Sequence, residues 1–351
     1  MMMIRPIVSG AARGATRRSI AAAAAPGFAR TLATEAPKPS AGSPPPSSSS
    51  SNTPLILALA GVGGLGAWYA MGGFGDKPSV PGTGSVTGVL DKNAFKEFTL
   101  KEVIPYNHDS STFIFEIPQD QNSGMTVASA VVVKGVGEQA PKDKEGKDVV
   151  RPYTPVTSPD TKGHIDFLIK KYPNGAMTEY IHAMKPGDKL EIKGPFDKHQ
   201  YKANEFEEVA MIAGGSGITP MWQLLQAIKG NPQDKTKATL IYTNKTEADI
   251  LLREKFDELA KSDDRFTIVY GLDKKPKNFT QADAFEGYVT PEILSKYLPA
   301  PAKADKVKIF VCGPPPQVEA ISGGKGPKGS QGDLKGLLAD QGYQPSQVYK
   351  M

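Results

Sequence analysis

From Phe95 onward, apolar and polar residues alternate in short runs, FKEFTLKEV, STFIFEI, ASAVVVKG, HIDFLIKKY and DKLEIKGPF, separated by turn-forming glycine, proline and aspartate. A period of two places every second side chain on one face, so closely spaced runs of this kind predict a small antiparallel β-barrel over residues 95–200. Past Tyr201 the rhythm changes. The runs EEVAMIAG, KATLIYT, RFTIVYG and KVKIFVCG are almost continuously apolar, and helical stretches follow them: after Ile218, around Ile250 to Leu259, around Glu292 to Tyr297 and beyond Pro314. Strand and helix in alternation predict a doubly wound α/β domain with a parallel sheet over residues 201–351.

Ahead of the barrel the pattern is of another kind. Residues 1–34 hold Arg5, Arg13, Arg17, Arg18 and Arg30 among alanines, with no acid before Glu35, and read as a mitochondrial presequence; a basic tail is the plainer alternative. Residues 35–53, rich in proline and serine, cannot bury apolar surface and read as a disordered linker. Residues 54–75 are uncharged and long enough for a single transmembrane helix, which needs about 20 apolar residues, although Gly61, Gly63, Gly64 and Gly66 dilute their hydrophobicity. Residues 76–94 form a second linker.

Composition narrows the chemistry. The 351 residues include one cysteine, Cys312, which excludes a disulfide framework, a CxxC metal site and a cysteine-ligated iron–sulfur cluster. The four histidines, His108, His164, His182 and His199, have no metal-ligand spacing and read as surface or barrel-edge residues, so no metal site is expected. A net charge of +5 comes from dispersed lysines and no nucleic-acid motif accompanies it, so nucleic acid is not an expected partner.

Three segments carry candidate chemistry. In MIAGGSGITPMWQLL, Met211 to Leu225, an apolar strand runs through Gly214, Gly215 and Gly217 into a helix. The free N–H groups and positive dipole end of that helix suit a pyrophosphate, although such a turn also occurs as plain structure. Upstream, RPYT at Arg151 to Thr154 combines a cation, a backbone-fixing Pro152, an aromatic and a hydroxyl; read alone, it is equally a strand ending in a turn. Downstream, CGPPP at Cys312 to Pro316 ends what reads as the domain's fourth strand, at the sheet edge where open α/β sheets bind ligands.

In this order the three segments resemble those of the ferredoxin reductase-like flavoenzymes, and most closely of the mitochondrial NADH-cytochrome b5 reductases of fungi, from roughly Phe95 to the C-terminus. The resemblance implies a reaction: hydride transfer from NADH to FAD, then single electrons to cytochrome b5. It also implies roles. Arg151 grips the FAD pyrophosphate, Tyr153 packs on the flavin and ribityl chain, and Thr154 bonds near flavin N5. A second flavin segment, LIKKYPNGAMTEYI, supplies Ile169, Lys170, Tyr172, Gly175, Met177 and Thr178. Lys170 falls where the family holds NADH, although Lys170 and Lys171 also read as solvated strand charges, and Tyr172 is the favoured flavin shield over Phe196 and Tyr349. Gly214, Gly215, Gly217 and Thr219 pass beneath the NADH phosphates and rings. Cys312, Gly313 and Pro314 orient the nicotinamide without a covalent step, unless Cys312 is a buried structural cysteine. Asp273 stands where NADH-dependent members repel the extra phosphate of NADPH, or merely caps a turn. One departure is that SGMTVASAVVV stands where the family often carries GQH, which leaves the contacts of Met125 and Thr126 open.

The partner implied is cytochrome b5 or a similar small acidic haem protein, for which Lys142, Lys144, Lys147, Lys162, Lys171, Lys185, Lys189 and Lys198 offer a basic rim. The location implied is the outer mitochondrial membrane, held by one N-terminal helix, with a processed form in the intermembrane space. Two rivals stand beside this reading: an NADH-dependent flavin reductase for another one-electron acceptor, such as a quinone or iron–sulfur protein, and a non-catalytic flavoprotein scaffold.

Overall fold

The structure, a computed structural model, describes residues 88–351 apart from position 282. The expected presequence and anchor, 1–34 and 54–75, lie outside the described residues. Among the described residues no helix is long and apolar enough to cross a membrane.

Six strands build the first domain: β1 (Lys96–Pro105), β2 (Ser110–Glu116), β3 (Ser129–Gly135), β4 (Val150–Tyr153), β5 (His164–Lys170) and β6 (Lys189–Asp197). They pair antiparallel in the order β4-β3-β6-β1-β2-β5. Beyond β4, the Val156 N–H donates to the Asp166 carbonyl of β5 at 2.8 Å and joins the two ends of the order, giving an antiparallel barrel. The period of two fills its interior with Phe98 and Leu100, Phe113 and Phe115, Val131 and Val133, Ile165 and Phe167, and Leu190 and Ile192. Helix α1 (Ala176–Ala183) packs on this core through the buried Met177 and Ile181.

The second domain is one parallel sheet of β7 (Glu208–Gly214), β8 (Lys237–Asn244), β9 (Phe266–Leu272), β10 (Ala284–Glu286), β11 (Val307–Cys312) and β12 (Val348–Lys350), ordered β10-β9-β8-β7-β11-β12. Its strands read as continuous apolar runs because both faces are covered. On one face Met211, Leu240, Tyr242 and Ile268 meet α2 (Ile218–Gly230) and α3 (Arg253–Ser262). On the other, Ile212, Ile241, Val269 and Ile309 meet α4 (Pro291–Tyr297), α5 (Pro315–Ser322) and α6 (Gly336–Asp340). The direction of winding reverses between β7 and β11, and the carboxyl ends of those two strands are Gly214 and Cys312. That switch point is where open α/β sheets bind their ligands.

RPYT lies in strand β4 over its first three residues, as the reading of a strand ending in a turn has it. The structure corrects two other sequence readings. CGPPP follows the domain's fifth strand, because the three-residue β10 is too short to show a period. The helix expected from Ile250 begins at Arg253, after Leu252 takes a left-handed φ of 60°.

Candidate functional site

Strand β4 is fixed by its ladder with β3, in which Arg151 faces Val133 and Tyr153 faces Val131. The half-buried Arg151 donates from Nη1 to the Val150 carbonyl at 2.9 Å and has no carboxylate partner among the described residues. A guanidinium with its fork unspent suits a phosphate. Tyr153 stands edge-on to Phe167, with ring centroids 6.4 Å apart, and burial pushes its hydroxyl pKa well up, with Arg151 pulling the other way and Tyr172 adding to the rise. The neutral phenol presents an apolar ring face.

Strand β5 ends in Ile169, buried in the barrel core, and Lys170. The turn beyond is tied by Thr178, whose hydroxyl donates to the Gly175 carbonyl at 2.9 Å and accepts from the Tyr172 N–H at 3.2 Å. A Cβ on Gly175 would lie 2.5 Å from that hydroxyl, so the turn needs glycine. Helix α1 opens there with no side-chain cap, leaving first-turn N–H groups for an outside acceptor. Tyr172 is 42% exposed, and its hydroxyl pairs at 2.6 Å with that of Ser216 on the other domain.

In the second domain, glycine lets the ends of β7 and β11 approach. A Cβ on Gly217 would lie 2.5 Å from the Cys312 carbonyl, and one on Gly214 would strike the Gln317 carboxamide and come within 2.8 Å of the Pro314 ring. Gly215 takes a φ of 51°, a conformation open to glycine at little cost, and around its missing Cβ the nearest group is the Tyr172 hydroxyl at 4.0 Å. The buried Thr219 holds the turn through its hydroxyl, 3.3 Å from the Ser216 carbonyl. Half-buried Cys312 has its thiol pKa raised by burial, opposed by Lys325 and Lys198, which keeps it a thiol. Gly313 packs against Gly214, and exposed Pro314 leads into α5. Exposed Asp273 follows β9, its N–H bonded to the Asn244 carbonyl at the end of β8 at 3.1 Å.

Several contacts at this seam were not read from the sequence. Lys170, expected to help hold NADH or to be a solvated strand charge, is 15% exposed and ion-paired to Asp109 at 2.5 Å and to Asp249 of the second domain at 2.9 Å, which excludes the solvated-charge reading. Burial alone would lower its pKa, but the two carboxylates outweigh burial and raise it. Asp249 likewise would be raised by burial, yet Thr246 and Lys170 hold it below the usual carboxylate range. Nearby, the Asn107 amide donates to the Ala248 carbonyl at 2.9 Å, and the Leu252 N–H to the Tyr106 hydroxyl at 2.7 Å. At the other end of the seam, Trp222 and Gln223 of α2 donate to the Val156 and Pro155 carbonyls, each at 3.2 Å. The Thr246-x-x-Asp249 capping box was readable as a helix-start signal; its charge pairing across domains was not.

Other expectations need redrawing. Phe196 is buried with Val132 and Val150, and Tyr349 packs on Phe310 and His199, so neither is placed as a free aromatic shield. His199 sits among Phe206, Phe310 and Tyr349 rather than at a surface. In the supposed basic rim, Lys142 pairs with Asp148, Lys147 with Glu145 and Lys189 with Glu97, while burial, aided by Lys325, pulls the Lys198 ammonium down to about 7.

An unspent guanidinium on one domain and a bare glycine turn at a helix start on the other form a donor set that fits an anionic dinucleotide on each side of the seam. Comparison with known proteins agrees. Residues 97–201 match the oxidoreductase FAD-binding domain, and residues 211–323 match the oxidoreductase NAD-binding domain. The chain is 61% identical to NADH-cytochrome b5 reductase 2 of Mycosarcoma maydis, over 99% of this chain and 100% of that protein. It is 40% identical to NADH-cytochrome b5 reductase 2 of Phaeosphaeria nodorum, over 92% and 95% of the two chains. Among solved structures, the cytochrome b5 reductase domain of Ulva prolifera nitrate reductase superposes with a TM-score of 0.63 at 29% identity, covering 76% of this chain and 100% of that one.

Proposed function

The chain belongs to the NADH-cytochrome b5 reductase family, and from that premise we propose that it accepts a hydride from NADH and passes electrons singly to cytochrome b5. The observation that carries the proposal is the meeting of Pro155 and Val156, just beyond RPYT, with the helix that opens at the glycine turn, which itself closes on the Cys312 carbonyl. Bound FAD supplies the conversion of a two-electron donor into one-electron steps. The protein's part is to hold, align and keep water out.

In this reading Arg151 clasps the flavin pyrophosphate with its two-pronged fork, and the first-turn N–H groups near Met177 and Thr178 add a second phosphate contact. Tyr153 and Tyr172 pack against the flavin, Pro152 stiffens the strand between them, and Thr154 donates or accepts at the reacting edge. Gly214, Gly215 and Gly217 bring backbone N–H groups against the NADH phosphates. Thr219 and the neutral Cys312, with Gly313 and Pro314, orient the nicotinamide. Asp273 repels a phosphate on the adenosine ribose, which favours NADH over NADPH.

For residues 1–34 we propose mitochondrial targeting, and for residues 54–75 an anchor in the outer membrane, with a processed form in the intermembrane space. The acid-free, arginine-bearing segment and the uncharged run support this. Both parts are tested by deleting residues 1–80. The expected product stays out of the membrane fraction, retains FAD and reduces cytochrome b5 with NADH. A product that loses its flavin or fails to fold contradicts the separation of anchor from enzyme, and one that bleaches with NADH but leaves cytochrome b5 oxidised moves the acceptor elsewhere.

A further inference from the structure

We infer that Gln223 and Trp222 are positioning residues for hydride transfer, setting the distance between the RPYT strand and the NAD-binding helix. The inference deepens the function proposed above and rests on it. Strand β4 ends at Tyr153, and just beyond Thr154 the carbonyls of Pro155 and Val156 face the other domain. Both carbonyls find donors on α2: Gln223 Nε2 at 3.2 Å for Pro155 and Trp222 Nε1 at 3.2 Å for Val156. Val156 is held from behind as well, its N–H on the Asp166 carbonyl of β5 at 2.8 Å.

The donors themselves have little freedom. Gln223 is 2% exposed. The Trp222 ring stands edge-on to Phe256, with centroids 5.6 Å apart, and carries the Lys255 ammonium 5.5 Å from its centroid. Thr219 and Gln223 are four residues apart in α2, so they share one face of the same helix. One end of that face meets the glycine turn; the other meets the residue after Thr154. A helix is stiff over the single turn between Thr219 and Gln223, so these two positions carry the spacing between the glycine turn and the residues after RPYT. Hydride transfer is sensitive to such spacing: a misplacement of about 1 Å can cost about 100-fold.

The test compares the wild-type holoenzyme with Gln223→Met, which keeps the length and loses the donor, and Trp222→Phe, which keeps a ring and loses the N–H. Four readouts are taken: anaerobic flavin bleaching at saturating NADH, its isotope effect with deuterated NADH, the visible circular dichroism of the oxidised flavin, and the dissociation constant for NAD+. Hydride transfer is expected to slow about tenfold in Gln223→Met and about threefold in Trp222→Phe, as loss of one hydrogen bond predicts. The isotope effect should rise and the flavin dichroism change, while flavin content and NAD+ binding stay within about twofold. Should Gln223→Met fail to fold, Trp222→Phe decides alone. Bleaching within about twofold of wild type in folded variants overturns the inference, as does a loss that only tracks lost flavin. A wild-type flavin that NADH does not bleach overturns the proposed function itself, and the positioning role with it.

Discussion

Two seams join the barrel to the parallel-sheet domain, and they are made of different material. On the flavin side, neutral donors of α2 meet backbone carbonyls beyond RPYT, and Gln223 is almost wholly buried. At the β8 end, Lys170 lies between Asp109 and Asp249, with His108 Nε2 3.4 and 3.5 Å from the two carboxylates and 56% exposed. A buried neutral bond is indifferent to salt and costly to leave unmade, whereas a charged cluster near solvent is screened and can exchange partners. The neutral contacts thus hold the two domains at a fixed spacing whatever the salt, and the charged cluster is the part of the contact that salt can reach.

The largest expected effect belongs to Arg151 of strand β4. Arg151→Ala removes a phosphate partner, which costs about 2–5 kcal/mol of FAD binding, so flavin should be lost on gel filtration, and Arg151→Lys should restore only part because a point charge lacks the fork. Full flavin retention in the alanine variant would take Arg151 out of the site. Next comes the neutral seam: Gln223→Met leaves a buried carbonyl without its donor and should lower unfolding stability by about 1–3 kcal/mol. That loss should be the same at low and high salt, and a salt-dependent loss would erase the contrast.

Smaller effects belong to the charged side. Asp273→Thr should raise kcat/KM with NADPH and cost less than about tenfold with NADH, or about 1.4 kcal/mol; an unchanged donor preference would refute the role of Asp273. Asp249→Asn should cost less than the about 3–5 kcal/mol of a fully broken buried pair, because Lys170 keeps Asp109 as a partner, and the cost should shrink only modestly as salt rises. The pH dependence follows from the two shifts. The Asp249 carboxyl is held below its usual 3.8, so its contribution is present above that value and fades as pH falls through the lower folded-state value. The Lys170 ammonium is held above 10.5, so its contribution is present below that value and fades as pH climbs past the higher one. Urea unfolding of wild type and Asp249→Asn should therefore differ by a constant amount between about pH 8 and about pH 9, clear of the range in which histidines such as His108, 3.5 Å from Asp249, change charge.

Much of this was legible from the sequence because it is local. The period of two predicts five of the six barrel strands, and the glycine turn between an apolar run and a helix marks the carboxyl end of the first parallel strand. What escaped was short or long-range. Strand β10 has three residues, too few for a period. The ion pair of Lys170 with Asp249 escaped because the two lie 79 residues apart in the chain. Trp222 and Gln223 sit in a helix whose apolar stripe explains them without any partner, and only the barrel beside them shows what their polar ends do.

The most direct test of the account is an anaerobic titration of the purified protein, followed by its visible spectrum. The account predicts a bound-flavin spectrum that bleaches with one equivalent of NADH, bleaches far less readily with NADPH, and returns as two equivalents of oxidised cytochrome b5 are added and reduced. A protein that carries no flavin, or whose flavin NADH leaves unbleached, would contradict it.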